Sequence, residues 1–302
     1  MSLSPRVSFL GANTTAQARL RAAYARLDKA NEQVSTTKAY SRPSENTSAS
    51  SRAAVLQDQI DQIDSYGRSI DDAKSRLDIA DSKASQAMDL YHRITELTTQ
   101  AASSLNSADS RLSIREEVVQ LQGELQSVAN FRYLGQPLFG GLGSADPATF
   151  NSGTSTWSFT GAASDKIVRR VGPNETVDAS ITAGELFSNS TTGDIFTVLD
   201  GLSASLAADD TAGIQAALNK VQSLQNTLSA GQARIGANAS RVDRAATRNS
   251  AIKVSLTTEL SSLEDVDLST AITDQNRLSV AYNAALGVTA KAQQQTLLDW
   301  LR

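Results

Sequence analysis

The chain has 302 residues, of which 20% are charged, 40% hydrophobic and only 5% aromatic, with a net charge of −4. No surplus of positive charge is present to neutralise phosphates, which argues against a nucleic-acid binder. There is no cysteine and a single histidine, His92, so disulfides, thiolate metal sites and multi-histidine sites are excluded. The N-terminus has no apolar run of the secretory type, and no stretch approaches the ~20 apolar residues of a membrane span. Neither a cleaved signal peptide nor membrane insertion is expected.

Leu10, Asn13, Gln17, Leu20, Tyr24, Leu27, Asn31 and Val34 recur at alternating intervals of three and four. This is a heptad seam, which needs a partner helix to leave water. Pro43 in Ser41-Arg-Pro-Ser44 breaks it. A second seam runs through Leu56, Ile60, Ile63, Gly67, Ile70, Lys74, Leu77, Asp81, Ala84, Met88 and Tyr91, predicting one helix from about 48 to 104. After the polar turn Asn106–Asp109, Ile114, Val118, Leu121, Leu125 and Val128 predict a third helix. Short connections between long amphipathic helices describe antiparallel neighbours in a bundle.

From Phe131 the pattern changes. Residues 131–201 hold 10 of the 17 glycines and 8 of the 15 aromatics, so a β-rich insert is expected there. Residues 154–160, 166–171 and 175–181 read as strands, the last two joined at Gly172-Pro173-Asn174. Trp157 and Phe159, on one face, are expected in the core of a small sandwich. Both ends of the insert enter from helices, so replacing 144–190 by a linker is expected to leave the helical fold intact. Helix resumes near Asp194. The longest seam runs from Ile214 to Leu263, is interrupted at Asp265-Val-Asp267, and is followed by a last amphipathic segment from Leu268 to Leu301.

The expected fold is mainly α: an elongated antiparallel long-helix bundle with a terminal coiled coil and a small β-rich inserted domain. Residues 1–42 with 266–302 form the terminal coiled coil, 43–134 with 202–265 the long-helix bundle, and 135–201 the insert. The two ends carry opposite charge, seven basic to three acidic residues over 1–45 and six acidic to three basic over 259–302. Opposite seams of this kind pair. Leu20, Tyr24, Leu27, Val34, Leu278, Tyr282 and Leu286 are the expected assembly interface. Leu297, Leu298, Trp300 and Leu301 form an apolar tip that needs cover.

Little chemistry is expected. No phosphate-binding loop, zinc-protease or nucleophile-elbow motif occurs. Gly140–Gly143 reads as a turn, Asp71-Asp72 as a solvated helix face, and Asp209-Asp210 as a helix start. His92 reads as an ordinary helix residue. No catalytic residue, metal site or cofactor is expected, and the chain is read as a structural protein rather than an enzyme.

Particular runs resemble the bacterial flagellins and their junction relatives. Arg93–Ala101, Asn106-Ser107 and Ile114–Asn130 are similar to the family's R-x-x-E-L-x-x-Q-A run, polar turn and following helix. Glu32–Lys38 with Arg42–Glu45 resembles an N-terminal signature, with Thr37 where the family usually has glycine. Ala233–Asp243 and Leu263–Asp267 resemble the C-terminal helix and its [IL]-E-D-[AV]-D block. Phe131–Phe150, Val171–Phe187 and Leu297–Leu301 are most similar to the family's hook–filament junction members.

The resemblance implies a subunit of the bacterial flagellum, extracellular, exported without a cleaved signal peptide, and joining the hook-associated ring to the filament. It implies as partners copies of itself in a ring, the first hook-associated protein, flagellin, and an export chaperone of the FlgN type at the C-terminal tip. A flagellin proper, and an unrelated cytosolic coiled-coil scaffold, are the alternative readings.

Overall fold

A computed structural model describes residues 5–103, 106–160 and 164–300, with side chains over 14–103, 106–160 and 164–291. The chain folds as two compact units, Met1–Asp61 with Lys253–Arg302, and Gln62–Ile252. Two helices, α2 (Thr47–Ala102) and α6 (Thr211–Glu264), contribute to both.

In the first unit α1 (Pro5–Thr36) packs on α7 (Leu268–Trp300). The pair is antiparallel: Tyr24 meets Tyr282, Asn31 accepts a hydrogen bond from Gln275, and Lys38 bridges to Asp265. The break after α1 begins at Thr37, which has φ 59°, and includes a turn of 3-10 helix, Pro43–Glu45, with proline at its start. The break between α6 and α7 is enforced by Asp267, whose carboxylate accepts from the Ser269 N–H and the Thr270 hydroxyl.

In the second unit α2 and α6 are also antiparallel, joined through Lys74–Asp243, Gln232–Ser85 and Gln225–His92. Helices α3 (Ala108–Ala129) and α5 (Ile195–Ala207) pack on each other. Ser107 caps α3 and Asp194 caps α5, each accepting from an N–H three residues on. Buried Arg111 staples the turns together, donating to Ala101 O, Ser103 O and Asp209. Helix α4 (Ala183–Phe187) carries a Thr182/Glu185 capping box and lies against Gly231 of α6. A Cβ at Gly231 would stand 2.4 Å from Leu186 Cδ2, so any larger residue there requires the leucine side chain to shift.

Four antiparallel two-stranded hairpins interrupt the helices: β1 (Arg132–Tyr133) with β2 (Gln136–Pro137), β3 (Ala148–Asn151) with β4 (Thr156–Phe159), β5 (Val168–Gly172) with β6 (Glu175–Asp178), and β7 (Ser188–Asn189) with β8 (Gly193–Asp194). They do not form the expected sandwich. Trp157 instead stacks on Phe196 of α5 with ring centroids 4.5 Å apart, and its Nε1–H donates to Asp200. Asn130, at the end of α3, acts as a surrogate strand, donating to Ala148 O and accepting from Ala148 N–H.

The hairpins share one hydrophobic core with the helices. Phe139, Val171, Val177, Ile181 and Phe187 are buried with Leu77, Tyr91, Leu125 and Val221. Buried Arg76 of α2 donates to Pro137 O and Leu138 O, pinning the first hairpin to the bundle. The expectation that 144–190 can be replaced without loss of the helical fold is therefore corrected: that segment supplies part of the core wall.

The core seam of α2 also differs in detail from its expected course. Ala73, Ala80 and Ala87 are buried between Leu77, Ala84 and Tyr91, whereas Lys74 and Asp81 are exposed and Met88 is half-buried. Small side chains let the neighbouring helices approach closely, and the longer residues beside them reach the edge of the contact.

Candidate assembly interface

The α1–α7 pair carries most of the residues expected to mediate assembly. Along α1 the sheltered positions among the described residues include Ala16, Leu20, Ala23, Leu27, Ala30 and Val34, a regular three-four repeat. Along α7 the corresponding positions include Ala271, Leu278, Tyr282 and Ala285. Among the described residues of this pair only Ala30 and Ala271 are buried; Leu20, Leu27, Leu278 and Val34 are half-buried. Two helices alone cannot cover a full apolar stripe, so such a pair keeps surface for further helices.

The expected interface residues divide accordingly. Leu20, Leu27, Val34, Leu278 and Tyr282 lie in or beside the pair's own seam. Tyr24 and Leu286 point outward, with Tyr24 56% exposed. Tyr24 still touches Tyr282, their centroids 5.8 Å apart at an interplanar angle of 55°. Beyond the expected set, Leu268, Ile272, Val280 and Val288 are exposed on α7. Leu268 and Ile272 belong to the last amphipathic segment read from the sequence, whereas Val280 and Val288 fall between its seam positions. Leu297, Leu298, Trp300 and Leu301 lie outside the residues whose side chains are described.

A clasp closes the base of the pair. Ala39 N–H donates to Glu264 O at 2.6 Å and Val266 N–H to Thr37 O at 3.0 Å. Lys38 adds a 2.7 Å ion pair to Glu264, and this hydrogen bond raises the lysine pKa above its ordinary value. Thr37 itself adopts φ 59°, a left-handed conformation that a β-branched residue takes only at a cost.

The chemically suggestive residues have structural roles. His92 Nδ1 faces Gln225 Nε2 at 3.1 Å. Asp72 pairs with Arg169 at 2.6 Å, and Asp209 pairs with Arg111. Asp210 caps the start of α6, accepting from Ala212 N–H. Gly141 has φ 63°, and a Cβ there would collide with Asp165 O, so Gly140–Gly143 is a tight turn. Among the described residues no cluster has the make-up of a metal site, and no helix is long and apolar enough to cross a membrane. A cleft in the second unit is bordered by Lys166, Asp178, Ser180 and Arg234, and Lys166 and Arg234 pair with Glu185 at 3.1 and 2.7 Å.

Comparison with known proteins places this architecture. Residues 7–143 match the bacterial flagellin N-terminal helical region, and residues 218–301 the bacterial flagellin C-terminal helical region. Curated protein sequences give no significant match. Among solved structures, the fold is similar to a chain described as a flagellar hook-associated protein from Vibrio parahaemolyticus. That match has a TM-score of 0.68 and 18% identity, over 73% of this chain and 100% of that one. FlgL from Xanthomonas campestris matches at TM-score 0.61 and 17% identity, over 68% of this chain and 99% of its own. Flagellar hook-associated protein-3 from Legionella pneumophila matches at 0.63 and 15%, over 70% and 98%. With both terminal helical regions present and the matching fold between them, the chain belongs to the bacterial flagellin family and is a structural protein of the flagellum.

Proposed function

We propose that this chain is a junction subunit of the FlgL kind, standing between the hook-associated proteins and the flagellin filament. The observation that carries this reading is the shared fold: hook-associated and FlgL structures match over 98–100% of their own length and 68–73% of this chain at TM-scores of 0.61–0.68. The terminal pair supports an assembly role, because α7 leaves Ile272, Val280, Leu286 and Val288 uncovered in the single chain. Further copies of the chain in a ring supply that cover, with the first hook-associated protein on one side and flagellin on the other. The protein reaches the flagellum through the flagellar export apparatus, with a FlgN-type chaperone holding the C-terminal apolar tip beforehand.

Removal of the gene tests the reading. A junction subunit is needed for the filament to be retained, so the mutant is expected to carry completed hooks and to release flagellin into the medium. A mutant that retains full-length filaments contradicts the proposal. Loss of the filament without released flagellin instead favours a filament subunit.

A further inference from the structure

The second unit carries two long rows of opposite charge on different helices. On α2, Asp64, Asp71 and Asp78 recur at intervals of seven residues, with Asp89 beyond them. Positions seven apart fall on one helix face, about 10.5 Å apart along the axis. Asp71, Asp78 and Asp89 are exposed, and the cations Arg68 and Lys74 stand among them. Lys74, at the inner edge of the row, is committed to Asp243 at 2.7 Å.

On α6, Arg234, Arg241 and Arg248 recur at the same interval, and Arg244 lies beside them. All four are exposed. Arg170 of β5 adds a further guanidinium on the hairpin that Arg241 and Arg248 touch. Two carboxylates share this face: Glu185 with Arg234, and Glu175 with Arg248. The other three guanidiniums donate to uncharged oxygens, Arg241 to Thr176 O, Arg244 to Ser240 Oγ and Arg170 to Pro173 O. One face is thus net acidic and the other net basic, in a chain whose total charge is only −4.

Among the described residues, Asp71, Asp78 and Asp89 pair with none of these arginines. The α2–α6 contact inside the unit runs through Lys74–Asp243 and Gln232–Ser85, not through these arginines. The common seven-residue repeat lets successive aspartates of one row meet successive arginines of the other. Single exposed pairs contribute little, but a row sets register and orientation and disfavours like-charged approaches. We propose that these faces form a head-to-tail contact between two copies of this chain, the aspartate row of α2 on one copy against the arginine row of α6 on the next. This rests on the reading of the chain as a subunit that assembles with itself. The contact is heterologous, so it repeats from copy to copy, as a closed ring where the rotation between copies closes and as an open helical row where it does not.

The absence of native cysteine makes the contact directly readable. Ser75→Cys lies within the acidic row and Ala237→Cys within the basic row, and both positions are exposed. Flagella isolated from cells carrying the double variant are treated with bismaleimides of graded length. The expected product is a ladder of cross-linked multimers, with each single-cysteine variant remaining monomeric. Adding Arg241→Glu with Arg244→Glu is expected to lower the multimer yield more than fivefold. Adding Asp71→Lys with Asp78→Lys to that variant is expected to restore it, which a mere folding defect would not do.

Three results overturn the proposal while leaving the junction reading standing: no multimers from a double variant present on flagella, dimers from either single variant, or cross-links only to a protein of different mass. Absence of the wild-type chain from isolated flagella overturns both.

Discussion

Tyr24 and Tyr282 touch across the pair of terminal helices, 258 residues apart in the chain, with ring centroids separated by 5.8 Å. Their tilted contact ties the two ends into one module. A double-mutant cycle with Tyr24→Ala and Tyr282→Ala is expected to give a coupling of about 0.5–1.5 kcal/mol. Additive effects on the stability of the helix pair would show that the rings do not interact in solution.

Thr37 pays for its φ of 59° at the clasp where Ala39 and Val266 donate across the two chain passages. Glycine has no Cβ to clash in this region. Thr37→Gly is expected to stabilise the clasp by about 1 kcal/mol, net of the greater freedom glycine has when unfolded. Hydrogen exchange at the Ala39 and Val266 amides should slow by roughly fivefold. Faster exchange in the variant would mean that the strain is absorbed elsewhere.

Tyr91 is fully buried between the helices of the second unit, and its hydroxyl has no hydrogen-bond partner among the described residues. Burial pushes the phenol pKa well up, so the group stays neutral. Tyr91→Phe removes the uncompensated hydroxyl and keeps the ring. Stability is expected to rise by about 1 kcal/mol, read as a higher denaturation midpoint at unchanged slope. A fall in the midpoint would show that the hydroxyl is satisfied.

Glu185 is pulled in two directions. Burial raises its pKa, but hydrogen bonds from Lys166 and the Thr182 N–H, with the charges of Lys166 and Arg234, outweigh burial and leave it lowered. A carboxylate depressed in the folded state contributes stability above its unfolded pKa of about 4.3. That contribution is lost as pH falls through the lower folded value. Glu185→Gln should therefore shrink the loss of stability on acidification below about pH 4. An unchanged acid limb would remove Glu185 from the account.

At the C-terminus, Leu297, Leu298, Trp300 and Leu301 crowd an apolar tip onto a single Asp299. An aromatic anchor in a helix-binding groove commonly carries about 2 kcal/mol, near thirtyfold in affinity. Trp300→Ala is expected to weaken binding to a FlgN-type chaperone more than tenfold, measured by calorimetry. Equal affinities would discard the anchor.

The long helices and their breaks were legible because their signals are local. Pro43 ends one pattern, and Asp267 caps the next helix from within the run Asp265-Val-Asp267. The exact seam was less legible. Ala73, Ala80 and Ala87 carry little hydrophobic weight, so Lys74, Asp81 and Met88 were read in their place. Close helix packing selects for size, which a hydrophobic pattern does not record. Hairpins of two residues per strand, such as Arg132–Tyr133 with Gln136–Pro137, are too short to show a period. The residues expected to mediate assembly lie on the terminal helix pair, whereas Val280 and Val288, exposed on the same helix, fall between its seam positions and leave no periodic signal.

Immunogold labelling of isolated flagella tests the junction assignment most directly. The account predicts label confined to one position per flagellum, where the hook meets the filament. Label distributed along the filament would identify a filament subunit instead, and absence of label from intact flagella would contradict a place in the flagellum.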